Sequence, residues 1–271
     1  MPEGDTVWLA AQRMHAALAG ATLLQSDFRV PQHATVDLSG RKVLEVVPRG
    51  KHLLTRIEGG ITLHTHFRMD GTWHLYAPDE RWRGGPDHQV RVVLRTPTRV
   101  AVGYRLPVVE LLATADEATV VGHLGPDVLD DDFDTSEALR RLRADPLREV
   151  GLALLDQRNL AGLGNLYRIE ALFLQGVTPW TPVADVDLDR LVARSVRLIR
   201  ANMHRWEQST TGSLRPGQDH WVFERGGKPC RRCGQRVLWA DQGEPPRARV
   251  TYWCPRCQTG SAPVPNRPPR R

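Results

Sequence analysis

Lysine is nearly absent from this chain. Of its 37 basic residues only Lys42, Lys51 and Lys228 are lysines, and the others are arginine. Cysteine is as scarce. Cys230, Cys233, Cys254 and Cys257 fall inside one short segment, which excludes a disulfide framework spread over the fold. No apolar run approaches the roughly eighteen residues that a transmembrane helix needs. The first residues include Glu3 and Asp5 and lack a basic stretch followed by an apolar one. No secretory signal is therefore visible, and a cytoplasmic protein without a membrane partner is expected.

What remains is an ordinary globular composition, 41% hydrophobic and 25% charged, in 271 residues, enough for two domains that each bury a core. The formal net charge of +6 is modest, but it points to a polyanionic partner. Arginine forks suit phosphate, although a G+C-rich genome produces the same bias.

The pattern changes twice along the chain. Residues 6–19 read as a helix, with Asp5 as N-cap, Val7, Ala11, Met14 and Leu18 on one face, and Gly20 as the stop. From 22 to 112 the apolar runs shorten to strand length: 42–47, 52–57, 61–69, 72–76, 90–94 and 99–102. Asp70-Gly71 between two of them is a tight-hairpin signal, and strands at this spacing predict a β-sandwich or barrel. An acidic, turn-rich stretch at 113–134 reads as a connector. Helical periodicity follows at 136–143, 147–156, 166–175 and 188–206. Thr210, Thr211, Gly212 and Gly217 then mark a segment that reads as mobile. The proline-rich tail cannot bury a core and is expected to be disordered.

The cysteines are spaced C-x2-C-x20-C-x2-C. Each C-x2-C presents two thiolates on one side, and two such knuckles complete a tetrahedral four-cysteine zinc site with a ribbon hairpin between them. Four thiolates close the shell, so a structural metal is expected. A redox dithiol motif usually occurs once, near a βαβ unit that is absent here. Arg231, Arg232, Arg236, Arg247, Arg249 and Arg256 in this segment suit phosphate contact or a solvated face.

LLDQRNLAGLGNLYRIEALF holds two apolar-periodic segments joined by a turn at 159–165. Gly162 and Gly164 permit positive φ and close backbone approach. Asn165 can cap the second helix, whose amides then form an anion site. His64 and His66 share a strand face without a third ligand of suitable spacing, and read as strand-face residues.

MPEG at the start, RGKHLL around Lys51, LLDQRNLAGLGN and the terminal CRRC…WCPRC together resemble the formamidopyrimidine-DNA glycosylase/endonuclease VIII family. The likeness runs from Pro2 to Gln258 in the family's order. The PEG opening, rather than PEL, leans to the endonuclease VIII branch.

The resemblance implies an α+β chain. A helix plus β-sandwich domain spans 1–117, a helix–two-turn–helix domain 118–220, a zinc ribbon with one structural zinc ion 221–258, and a disordered tail 259–271. It also implies a bacterial DNA glycosylase and abasic-site lyase of base-excision repair, monomeric, without a nucleotide cofactor, working at the nucleoid on damaged double-stranded DNA held between its domains. Pro2, freed by removal of Met1, would be the nucleophile, Glu3 the proton shuttle, and Lys51 a phosphate contact that assists protonation. Asn165 and Arg249 would grip phosphate. Arg68, Met69 and Asp70 fall where the family fills the void left by an extruded nucleotide, although Met69 serves equally as an ordinary strand methionine.

Many members carry a second glutamate three residues after Glu3, and here that place is Thr6; Asp5 or the Thr6 hydroxyl could take over its contacts. Oxidised pyrimidines are the implied lesions. Oxidised purines, or a zinc-ribbon protein that binds damaged DNA without turnover, are the rival readings.

Overall fold

The computed structural model describes residues 2–266. The chain divides into two compact units, one ending at His123 and the other beginning at Leu124.

In the first unit, α1 (Gly4–Leu18) starts two residues earlier than its periodicity suggests. Glu3 occupies the cap position, and Asp5 lies in the first turn, where a carboxylate favours the positive end of the helix. The Asp5 carboxylate accepts the Thr6 N–H at 2.8 Å, so it does not cap as expected. Antiparallel pairing arranges eight strands: β1 (Gln25–Phe28), β2 (Val43–Arg49), β3 (His52–Ile57), β4 (Ile61–His66), β5 (Thr72–Tyr76), β6 (Val90–Arg95), β7 (Val100–Tyr104) and β8 (Val108–Ala113). They form two four-stranded sheets, β1-β6-β7-β5 and β2-β3-β4-β8.

Their inner faces enclose one core. Val46, Leu53, Leu63, Val92, Leu94 and Ala101 meet Val7, Met14 and Leu18 of α1 there. This is the sandwich that the alternating short runs predict. The strand expected over 61–69 stops at His66, because Arg68 adopts a left-handed φ of 46° and the Gly71 N–H closes back on Phe67 O at 2.8 Å.

The connector is not a slack linker. Its first half carries α2 (Ala118–Val121) and is tied to the outer face of the second sheet. Glu117 accepts two hydrogen bonds from Arg56, at 2.8 and 2.7 Å, and one from the Thr62 hydroxyl at 2.6 Å. These bonds carry the first unit past residue 117, where the domain boundary was expected, to His123. The Arg56 guanidinium holds the Glu117 carboxyl below its ordinary pKa. The second half binds the helical unit, with the Gly125 N–H on Gln157 O at 2.9 Å and the Ala161 N–H on Pro126 O at 2.8 Å.

The second unit contains α3 (Thr135–Arg143), α4 (Val150–Leu155), α5 (Asn165–Gln175), α6 (Leu188–Arg200) and the hairpin of β9 (Leu238–Gln242) with β10 (Arg249–Trp253). Two expected helices are shorter than their periodicity. Residues 145–149 form a turn before α4, with the Val150 N–H held by Thr181 O at 2.9 Å. After α6, Asn202 bonds to Leu198 O at 2.9 Å and Ser209 O at 3.0 Å, and it accepts the Ser209 N–H at 2.8 Å, which turns the chain into the following loop. A small core of Trp180, Ala240 and Trp253 lies under the hairpin.

The start of the supposedly disordered tail is docked instead. Thr259 exchanges backbone bonds with Gly176 and Thr178, at 2.9 and 3.0 Å, and the Asn266 N–H reaches Trp239 O at 2.8 Å. Residues 267–271 of that tail lie outside the described residues. No helix among the described residues is long and apolar enough to cross a membrane.

Candidate active site

In the first unit the expected functional residues occupy the start of α1 and two hairpin turns. Pro2 is half-buried and leads into α1, with Glu3 fully buried beside it. The helix is seated on β2, where the Val46 N–H donates to His15 Nδ1 at 3.2 Å. Lys51 lies in the turn between β2 and β3, which Arg49 and His52 close as a register pair.

Arg68, Met69 and Asp70 form the tip between β4 and β5, and Met69 is 60% exposed while neighbouring Phe67 is buried in the core. The tip is tied down by hydrogen bonds. The Arg68 N–H donates to His66 Nδ1 at 3.0 Å, and Arg105 Nε donates to Asp70 O at 3.1 Å. A Cβ on Gly71 would stand 2.7 Å from Phe67 O, so only glycine closes this turn.

In the second unit the turn between α4 and α5 is closed by its own polar side chains. Gln157 donates to Leu155 O and Leu163 O at 2.9 and 2.8 Å, and it accepts the Gly162 N–H at 3.1 Å. Gly162 adopts a φ of 97°. Asp156 binds Arg158 and Arg148, and the Arg158 guanidinium holds its carboxyl well below the usual range.

Gly164 takes the cap position of α5, and Asn165 is its first helical residue rather than the cap. The Asn165 side chain has another use. Its Nδ2 donates to Val250 O at 2.9 Å, next to Arg249, while its Oδ1 accepts two bonds from Arg168, at 2.9 and 2.7 Å. The structure thus brings Asn165 to the base of the strand that carries exposed Arg249.

Arg168 was not singled out from the sequence, yet it joins these parts. Its fully buried guanidinium also binds Thr251 Oγ1 at 2.7 Å and the Gln242 side chain. Gln242 in turn donates to Glu149 and to Pro179 O, each at 2.8 Å. Glu170, two residues on and also fully buried, accepts the backbone N–H groups of Trp221, Val222 and Phe223, each at 2.8 Å, together with the Thr210 hydroxyl. It pins the entry to the cysteine segment and the loop before it, which the sequence suggested was mobile. Two charges inside an otherwise apolar helix, YRIEALF, were the available signal.

The four sulfur atoms lie within 4.8 Å of one another, and among the described residues no other group is placed to hold a metal ion in this way. The Cys230–Cys257 and Cys233–Cys254 separations are 3.9 and 3.5 Å. A tetrahedron with metal–sulfur bonds of about 2.3 Å has edges of about 3.8 Å, so the quartet fits such an ion. Burial raises the Cys254 and Cys257 thiols, so a metal must displace their protons on binding. Two ribbon arginines make contacts within the protein. Arg231 binds His220 O at 2.9 Å, and Arg232 lies over the Phe173 ring at 4.6 Å.

Residues 1–105 match the family profile described as the formamidopyrimidine-DNA glycosylase N-terminal domain, and residues 124–211 match its H2TH domain. The chain belongs to the formamidopyrimidine-DNA glycosylase/endonuclease VIII family. Within it the likeness is to the endonuclease VIII branch. A Streptomyces coelicolor protein named "Probable endonuclease 8 2" is 60% identical over 98% of this chain and 96% of its own length. The "DNA-(apurinic or apyrimidinic site) lyase Nei2" of Mycolicibacterium smegmatis is 44% identical over 96% of this chain and all of its own. The crystal structure of Lactococcus lactis Fpg with abasic-site DNA shares the fold, with a TM-score of 0.78 at 20% identity, covering 95% of this chain and 100% of that one.

Proposed function

We propose that this chain is a bifunctional DNA glycosylase and abasic-site lyase of base-excision repair. One observation carries the reading: a half-buried proline and a fully buried glutamate stand together at the positive end of α1, in a chain related over nearly its whole length to endonuclease 8 proteins. Once Met1 is removed, Pro2 is a secondary amine. An α-amino group titrates near pH 8 in model peptides, and the helix dipole favours its neutral form further. Its lone pair attacks C1′ of the damaged nucleotide and the bond from C1′ to the base breaks. Loss of the amine proton and opening of the sugar leave a cationic iminium. That electron sink makes a C2′ proton acidic, and its loss expels the 3′ phosphate by β-elimination; the unsaturated iminium then makes the C4′ proton acidic, and its loss expels the 5′ phosphate by δ-elimination.

Glu3 moves protons at the sugar. Lys51, Asn165 and Arg249 hold phosphates, Met69 fills the gap left by the extruded nucleotide, and Arg68 contacts DNA beside it. Cys230, Cys233, Cys254 and Cys257 hold one zinc ion, which when bound orders the ribbon that presents Arg249. The chain works as a monomer in the bacterial cytoplasm, where the nucleoid lies. Oxidised pyrimidines are the preferred lesions. Saturated pyrimidines are non-planar and stack poorly, so they are extruded at less cost, and a three-residue tip suffices to replace them.

Borohydride reduction tests the chemistry. It should fix protein to abasic-site duplex in a covalent complex of summed mass, and Pro2→Gly should form that complex at least about 100-fold more slowly, or about 2.7 kcal/mol of barrier, while remaining folded. Undiminished trapping by Pro2→Gly would move the nucleophile elsewhere. No trapping by the parent protein lacking Met1 would favour a damaged-DNA-binding protein without turnover.

A further inference from the structure

The outer face of the β2-β3-β4-β8 sheet carries a line of titratable side chains that the chemistry above leaves unused. Glu110 on β8 stands opposite His64 on β4, with Oε2 2.8 Å from His64 Nδ1. The other nitrogen of that ring, Nε2, lies 2.8 Å from Nδ1 of His52 on β3. The two rings stack with centroids 5.0 Å apart, and His64 is only 3% exposed. His66 faces His52 across the strand pair, its ring edge-on at 4.8 Å, and His123 approaches His52 at 6.2 Å.

Counting protons gives this chain a direction. An ionised carboxylate only accepts, so His64 carries its proton on Nδ1. A neutral His64 then accepts at Nε2, which obliges His52 to donate from Nδ1 and leaves the His52 lone pair on Nε2. Burial, reinforced by His66, His64, His123 and Lys51, pushes His52 down to about 3. Burial followed by Lys51, His64 and Arg68 pushes His66 down to about 4. His52 and His66 therefore remain uncharged at neutral pH, with Lys51, Arg68 and, across the turn, Arg49 as the cations around them.

Two members of the row, His52 and His66, each adjoin a turn proposed above to touch DNA. His52 directly follows Lys51 and closes its turn against Arg49. His66 accepts the N–H of Arg68, next to Met69.

We propose that Glu110, His64 and His52 are positioning residues. They form a one-way hydrogen-bond chain that fixes the His52 tautomer, and His52, packed edge-on against His66, sets the Lys51 turn against the Arg68–Met69 turn. The functional part rests on Lys51 and Met69 handling DNA, as proposed above. The tautomer does not, and so it can be tested alone.

Histidine-labelled protein without DNA, studied by long-range proton–nitrogen correlation, should show His52 neutral at pH 7 with its proton on Nδ1, the minor form of free imidazole. A proton on Nε2, or a charged His52, overturns the chain whatever the enzyme does. Glu110→Gln then tests its use, at a half-exposed position that tolerates the change. The His52 tautomer should become mixed, and strand cleavage at saturating DNA should slow by about tenfold, with duplex affinity within about twofold of the parent. A mixed tautomer with unchanged cleavage, or an unaltered tautomer in Glu110→Gln, overturns the positioning role.

Discussion

The two units assemble the residues proposed for function in opposite ways. In the first, Lys51 and Met69 sit on turns between sequence-adjacent strands, so local register places each turn, and longer-range bonds from Arg105 and the Glu110 row brace it. In the second, Asn165 bonds to a carbonyl 85 positions away, and Arg168 reaches Thr251 across 83. Such distant groups are brought together only by buried charges that have no alternative partner once water is excluded. The first unit is therefore expected to tolerate a change at one functional tip, whereas the second should lose several functions together.

Removing a metal ligand is the most severe way to break that contrast. Cys230→Ser should release the bound metal and disorder the β9–β10 hairpin, and should weaken duplex binding by at least about tenfold, or about 1.4 kcal/mol. The thermal transition of the first unit should stay in place. Full affinity in protein shown to be metal-free would remove the ribbon from the DNA-binding surface.

Arg168→Met comes next. It withdraws donors from Asn165, Gln242 and Thr251 while filling much of the same volume, and should lower the stability of the second unit by about 3 kcal/mol. Calorimetry resolving the two transitions would check this. A loss shared equally by both would mean that the units do not behave independently.

Arg249→Ala sharpens the comparison through electrostatics. The slope of log K against log salt should shrink by about 0.9 if one phosphate contact is lost, equally for damaged and intact duplex. An unchanged slope would show that Arg249 does not touch phosphate.

The last test concerns acid. His52 and His66 are held at about 3 and about 4, whereas an ordinary histidine titrates near 6.5. Between those values the unfolded chain binds protons that the folded chain refuses, so stability falls as pH falls from 6.5 towards 4. Denaturant unfolding at pH 7 and pH 5 should show this loss in the first unit, and His52→Asn should reduce it. An equal loss in the variant would assign the acid sensitivity to other groups.

Much of this was legible in the residues. Alternation of short apolar runs determined the sandwich, because only one face of each strand is buried; the C-x2-C pairs determined the metal cage, because each knuckle fixes two sulfur atoms locally. Pro2, Lys51 and Met69 could be marked because each sits at a position defined by its neighbours. The helix ends were less legible. Asp5 and Asn165 looked like caps, yet both lie inside their helices, and the tail that looked free returns to Gly176 and Trp239.

Only the tertiary structure assigned the partners of Arg168, Glu170, Glu110 and the histidines. A buried charge records in the sequence that it must be satisfied, but not by which of many distant donors or acceptors. That choice is made when strand register and helix packing bring particular atoms within about 3 Å.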